Sequence, residues 1–324
     1  MKIFLKKMAL FFLLCLVLSS FIIGVYVFKY HVSRKNIPSP PLSDSYSLNE
    51  KLGFLRTTDK MEPSLGIGSS IALNNLHSET ISNRIMGGKF LNASSWGMNM
   101  SDNYYLLKSL CEVYHPRTIF IASSISEFEL PAKKVDYDKV KSYLTAGDAA
   151  AVMYHFTCFN VRYYMDNWKY KKLVTTEKNQ YEYLVFDQFG GVNIEGNGFK
   201  IDQRRWNASF EKKRINESNY AFLDSISTLC KLKGIGFYFF QSPFREGIYA
   251  NLDAQKAKDL KSHVERIETI LKRDHHMFVD ADKVKWNDSL FIDGEHLNEK
   301  GAKAFTEYCF NQLDSLEVSP IHLQ

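Results

Sequence analysis

The sequence predicts an α/β domain built on a parallel sheet, and three observations carry that expectation. Short apolar runs without internal alternation recur along the chain, as strands buried on both faces require. Amphipathic stretches of helical period separate them, which is the pattern of βα units. The composition of the 324 residues, 45% hydrophobic and 24% charged, is that of a globular protein.

The first element stands outside this pattern. Met8 to Phe28 is an uncharged apolar run of about 21 residues, long enough to cross a bilayer. Lys2, Lys6 and Lys7 precede it, and Lys29, Arg34 and Lys35 follow. A cleaved signal peptide is the rival reading, but the run is long and no small-x-small site closes it. Cys15 lies in mid-run, where it does not mark a lipoprotein cleavage site. Residues 1–35 are therefore expected to be a single-pass anchor. Basic residues on both flanks leave the positive-inside rule nearly silent, and the short N-terminal tail places the domain outside the cytoplasm. Residues 36–50, rich in Pro and Ser, read as a linker. Residues 51–324 read as the domain, with an insertion at about 130–210.

Strands are expected at 64–68, 90–93, 118–122, 235–240 and 277–280. Helices are expected at 70–76, 103–114, 219–233, 254–273 and 299–313. Gly234 closes the third helix and Pro243 stops the fourth strand. Between Glu129 and Phe210 the alternation breaks. Tyr137 to Lys172 is helical in pattern and crowded with aromatics, from Tyr154 and Phe156 to Trp168 and Tyr170. Residues 176–209, with Gly190-Gly191 and Gly196-x-Gly198, have no clear period. The whole insertion reads as a lid or groove wall over the strand ends, or as aromatics packing a small core of their own.

Several function classes are disfavoured. The net charge of +5 includes the basic flanks of the apolar run, which leaves a near-neutral domain and little support for nucleic-acid binding. The runs Lys169-Tyr170-Lys171-Lys172 and Lys212-Lys213-Arg214 read as solvated helix faces or anionic-surface contacts. Cys111, Cys158, Cys230 and Cys309 have neither zinc spacing nor a disulfide framework. The adjacent His275 and His276 are poorly placed to share a metal. No metal and no cofactor are expected. Five Asn-x-Ser sequons, at Asn92, Asn99, Asn207, Asn216 and Asn287, fit chance in an Asn- and Ser-rich chain. Arg245 reads as a surface ion pair or an anion contact, and His155 as packing.

Two motifs more than two hundred residues apart carry the chemistry. Leu65-Gly66-Ile67-Gly68-Ser69-Ser70 places a serine immediately after the first strand. Asp293-Gly294-Glu295-His296-Leu297-Asn298 precedes the last helix. A serine hydroxyl needs a base to take its proton, and a carboxylate fixes that base's tautomer. Ser70, His296 and Asp293 are the correct types, in the chain order Ser, Asp, His. The tetrahedral oxyanion needs donors, for which the amides of Ser70 and Gly97 are candidates. Each motif alone is common turn chemistry. Together, at the carboxyl ends of parallel strands, they mark a site.

These residues resemble the SGNH, or GDSL-type, hydrolase family. Gly68-Ser69-Ser70 is similar to its first block, with Ser69 where Asp is usual. Gly97 matches the glycine of the second block, and Asp293 and His296 match the fifth in full. Leu297-Asn298-Glu299-Lys300-Gly301-Ala302 resembles the helix start that follows. The third block, Gly-x-Asn-Asp, is replaced by Ala122-Ser123-Ser124-Ile125-Ser126-Glu127. Ser126 takes the place of the oxyanion Asn and Glu127 that of the Asp. The resemblance covers about residues 61–315 apart from the insertion. It implies a flavodoxin-like three-layer α/β/α sandwich with a central parallel sheet.

The apolar run and the divergent third block resemble a membrane-anchored subgroup that includes the D-alanyl transfer protein and alginate O-acetyltransferase-like proteins. That likeness implies serine-mediated acyl transfer, as an O-acyltransferase or a carbohydrate esterase. The implied partners are an ester-bearing or acyl-accepting glycan of the bacterial envelope and a membrane-bound O-acyltransferase. The implied roles are Ser70 as nucleophile, His296 as base, Asp293 as orienting acid, and Ser70, Gly97 and Ser126 around the oxyanion. The rival is a non-catalytic protein of the same fold that binds glycan or scaffolds a membrane acyltransferase.

Overall fold

The computed structural model describes residues 1–30, 37–60, 63–174, 178–196, 202–210 and 215–315. Arg34, Lys35, Gly198 and the run Lys212-Lys213-Arg214 lie outside the described residues. The apolar run forms helix α1 (Lys2–Tyr30), and its apolar side chains from Ile3 to Ile22 are exposed. Its Lys2–Ile22 stretch is long and apolar enough to cross a membrane, a test that a signal sequence also passes.

The expected linker is not a free tether. Leu42 and Leu48 are buried, and helix α2 (Tyr46–Thr57) starts inside the stretch, capped by the Ser45 side chain on the Leu48 amide. Asn49 accepts from the Ser43 amide and hydroxyl, which pins the turn. Pro and Ser suit a packed, capped strap as well as a loose one, and the buried leucines decide between them.

Five parallel strands follow: β1 (Ser64–Ile67), β2 (Phe90–Asn92), β3 (Thr118–Ser123), β4 (Gly236–Gln241) and β5 (Met277–Asp280). Their order in the sheet is β2-β1-β3-β4-β5, the flavodoxin-like order. The register aligns Ile67 with Ile121, Ala122 with Phe240 and Gln241 with Asp280. The carboxyl ends of β1, β3 and β4 therefore form one rim.

Helices cover both faces. Successive strand residues alternate between two cores. Leu65, Ile67, Ile119, Ile121, Phe237 and Phe239 face one, with helices α5 (Met100–Tyr114), α9 (Ser218–Lys233) and α10 (Ala254–Arg273) packed there. Phe90, Phe120, Ala122, Tyr238, Phe240 and Val279 face the other, against α3 (Ser70–Asn75), α4 (Ser78–Arg84) and α11 (Glu299–Ser315). Helix α5 starts earlier than its apolar period suggested because Asn99 and Asp102 form a capping box.

The insertion divides. Its first part is α6 (Tyr137–Thr145), α7 (Asp148–Thr157) and α8 (Val161–Val174). Val140, Tyr143 and Leu144 of α6 belong to the main core, so this helix does not sit over the strand ends. The end of α8, through Tyr170, and the described parts of 178–210, through Tyr181, Glu182, Arg205, Ala208 and Ser209, reach the rim. Cys111, Cys158, Cys230 and Cys309 are free thiols.

Candidate active site

The site is built where β1 turns into α3. Gly68 has φ +156°, and a Cβ there would meet Ala72 Cβ at 2.5 Å, so glycine is required for so tight a turn. Ser69 holds the N-cap position without a side-chain cap bond, and Ser70 is the first residue of the helix. The loop before α11 arrives from across the rim. In it, Asp293 Oδ1 accepts from the amides of Glu295 (2.9 Å) and His296 (2.8 Å), which folds the Asp-x-x-His turn on itself.

Three predicted residues meet there. His296 Nε2 lies 2.9 Å from Ser70 Oγ, and His296 Nδ1 lies 2.8 Å from Asp293 Oδ2. Both Asp293 and His296 are buried, while Ser70 keeps partial exposure. Burial alone would push the Asp293 carboxyl up, but the His296 charge and hydrogen bond and two backbone amides hold it below the ordinary carboxylate value. For His296, burial favours the neutral ring. The charge and hydrogen bond of Asp293, with Glu295 beyond, outweigh it and raise the pKa above 6.5.

Gly97 shares the cavity with Ser70. Its φ of +64° is left-handed, a conformation that favours glycine. Hydrogen bonds from Ala93 N to Gly66 O (2.7 Å) and from Ser95 N to Gly68 O (3.2 Å) lash its segment to the end of β1. Among the described residues, neither the Ser70 nor the Gly97 amide has a hydrogen-bond partner.

Ser126 also lines the cavity, but its hydroxyl donates to Glu295 Oε2 at 2.6 Å, as does that of Ser124 at 2.6 Å. In this geometry the Ser126 proton is committed to a carboxylate and does not face an oxyanion. Glu127 turns inward and accepts from the Ile71 amide at 3.3 Å, one residue beyond Ser70. Burial pushes its carboxyl up to about 8, with the Glu295 charge adding to the shift.

Other residues of the site carried no signal in the sequence. Asn75, at the far end of α3, donates to Ser242 Oγ (2.7 Å) and Glu295 O (3.0 Å) and accepts from Leu297 N (2.8 Å). It ties the helix of Ser70 to the loop of His296. Tyr181 packs edge-on to the His296 ring, its hydroxyl 3.4 Å from Nε2. The Arg205 guanidinium lies over the Tyr181 ring, 3.7 Å from its centre. The cavity they enclose is about 710 Å³, room for a small acyl group with part of its carrier.

Arg245 is not a surface ion pair. Its guanidinium is buried between Asp288 (2.9 Å), Trp206 O (2.8 Å) and Asn207 Oδ1 (2.9 Å), holding the insertion's return beside the loop. His155 bonds Tyr164 OH at 2.8 Å within the insertion. His276 bonds Ser227 O at 2.8 Å. Among the described residues no three His, Cys, Asp or Glu side chains cluster as metal ligands do.

No family model and no curated protein matches the sequence. Among solved structures, the chain is similar to a GDSL-like lipase from Bacteroides thetaiotaomicron, at 8% identity and a TM-score of 0.41, over 84% of this chain and 98% of that one. It is also similar to a psychrotrophic esterase from Pseudoalteromonas sp., at 10% identity and a TM-score of 0.35, over 80% of this chain and 98% of that one. The fold assignment rests on the strand order and the two-faced core.

Proposed function

We propose that the protein is a serine acyl-transfer enzyme, anchored by α1 and acting outside the cytoplasm on an ester-bearing or acyl-accepting envelope glycan. One observation carries this reading: the unbroken chain Ser70 Oγ, His296 Nε2, His296 Nδ1, Asp293 Oδ2, with spacings of 2.9 and 2.8 Å, in an open cavity at the strand rim. Ser70 Oγ attacks an ester or thioester carbonyl and His296 Nε2 takes its proton. Asp293 holds the Nδ1–H tautomer and stabilises the imidazolium. The amides of Ser70 and Gly97 receive the oxyanion. The proton on Nε2 passes to the leaving oxygen or sulfur, leaving an acyl-Ser70 ester. His296 then deprotonates a sugar hydroxyl (transfer) or water (hydrolysis), and the tetrahedral intermediate collapses to free Ser70. The resemblance of the site motifs to SGNH hydrolases supports this chemistry. The anchor-like helix supports the setting and a partnership with a membrane-bound O-acyltransferase.

The engagement of Ser126 by Glu295 favours a second reading, in which the fold binds glycan or scaffolds a membrane acyltransferase without turnover. Loss of one oxyanion donor costs about 10²–10³ in rate. Labelling the full chain with a fluorophosphonate, followed by mass spectrometry, separates the two. The enzyme reading expects a single adduct at Ser70 that disappears in His296→Ala while the melting temperature is kept. A folded chain that takes no label supports the scaffold.

A further inference from the structure

Among the described residues outside α1, half of the large exposed apolar side chains fall within one short stretch: Val152, Met153, Phe156, Phe159, Val161 and Met165 are 48–68% exposed. They belong to α7, the turn after it and the start of α8. Elsewhere such residues stand scattered, as Met86, Leu232 and Val284 do. Scattered apolar residues are ordinary, whereas a cluster marks a contact surface.

The chain itself says what covers this surface. Six residues separate the end of α1 at Tyr30 from Ile37. Fully extended they span about 25 Å. At Ile37 the chain is already seated on the insertion: Lys171 Nζ donates to Ile37 O (2.9 Å) and Tyr163 OH to Ser39 O (3.2 Å). Ile37, Pro38 and Pro40 line one cavity of about 1060 Å³ together with Val152, Phe156 and Phe159. The apolar cluster is thus continuous with the strap that leaves the membrane-spanning helix, on a tether too short to carry it far.

Resting on the reading of α1 as a membrane anchor, we infer that the α7–α8 surface docks on the bilayer that holds α1, with Phe156 and Phe159 entering the headgroup boundary. The same helix reaches the active site. Tyr170 of α8 lines the Ser70 cavity, nine residues on from Val161, which is about 14 Å along a helix. Docking therefore holds the cavity beside the membrane surface, where a lipid-borne acyl donor or a membrane-bound partner presents its ester.

The test uses the full chain in vesicles of phosphatidylcholine and phosphatidylglycerol, with Phe156→Trp, Phe159→Trp and the control Leu232→Trp made separately. Helix interfaces of this kind sit ~5–10 Å into the boundary, so acyl-chain bromine should remove about half or more of the emission added at 156 and 159. The emission added at 232 should be unchanged. Chains that float with the vesicles but keep the added emission at 156 and 159 overturn the docking and leave the anchor standing. Chains that do not float overturn the anchor and the docking together. Equal loss at 232 shows unspecific collapse onto lipid and overturns the inference. A blue shift at 156 and 159 that follows protein concentration and ignores bromine assigns the surface to a second copy, and overturns it too.

Discussion

At His296 two demands oppose each other. Burial favours the neutral ring that can take the Ser70 proton, while Asp293 and, beyond it, Glu295 favour the charged ring and win, lifting the pKa above 6.5. Only the neutral ring serves as base. The acylation rate therefore falls as pH drops through the raised pKa, and the acidic limb of a pH–rate profile should have its midpoint above 6.5. Glu295→Gln should move that midpoint down, because one of the charges raising it is gone. The same change removes a negative charge beside the growing oxyanion and should raise the neutral-pH rate by roughly tenfold, short of the ~10²–10³ that a full donor is worth. An unmoved limb would show that no Glu295 charge acts on His296, and a slower enzyme at every pH would show that the hold of Glu295 on Ser124 and Ser126 is needed. Asp293→Asn should lower kcat by about 10⁴ with little change in stability, since the wrong tautomer then faces Ser70. Ser70, Asp293 and His296 were legible because their spacing within short motifs is itself the chemistry. Glu295 was not: its role depends on Ser124 and Ser126, some 170 residues earlier, and no local pattern records that meeting.

The same limit shows at the scale of elements. The runs 118–122 and 235–240 were readable as strands, one residue off the observed ends, because both of their faces are buried. Helix α2 was hidden because Pro- and Ser-rich composition masks the buried Leu48 and Leu52. Leu48→Ala should therefore destabilise the whole domain by ~2–5 kcal/mol in denaturant titration, as a core truncation does. A change within the noise would restore the linker reading. Helix α3 makes a second case. It has six residues, too few to hold its own geometry. Asn75 instead fixes it, through two hydrogen bonds to the loop of His296 and one to Ser242 beyond β4. Asn75→Ala leaves the Leu297 amide unpaired in the interior, a loss of ~1–3 kcal/mol. Its larger effect should be on Ser70 labelling, because the 2.9 Å contact between helix and loop depends on the tie. Equal labelling rates for the variant and the parent would make Asn75 a purely structural residue.

For the molecule as a whole, a parallel sheet was reachable from the alternation of strands and helices, and the flavodoxin-like sandwich from the resemblance of the motifs. The division of the insertion was not. Tyr181 and Arg205 reach the rim from stretches without period, while α6 joins the main core. One consequence of the finished fold is global. Glu127 lies under helix α3, and Asp282 lies half-buried beside Gln241 with its Oδ1 shielded from solvent; loss of hydration pushes each carboxyl up to about 8. Below the ordinary value of 4.5 for Glu127, folded and unfolded chains both hold its proton, and its contribution to stability is fully present. Above that value the unfolded chain releases the proton and the folded chain keeps it. Stability is then lost as pH rises toward about 8. The melting temperature of the parent should accordingly decline across that window, and Glu127→Gln, which carries no titrating proton, should flatten part of the decline. Asp282→Asn should flatten another part, because the two carboxyls belong to separate regions of the interior. If the variants fall with pH as steeply as the parent, Glu127 is ionised in the folded protein, and its bond to the Ile71 amide at 3.3 Å is then charge-assisted.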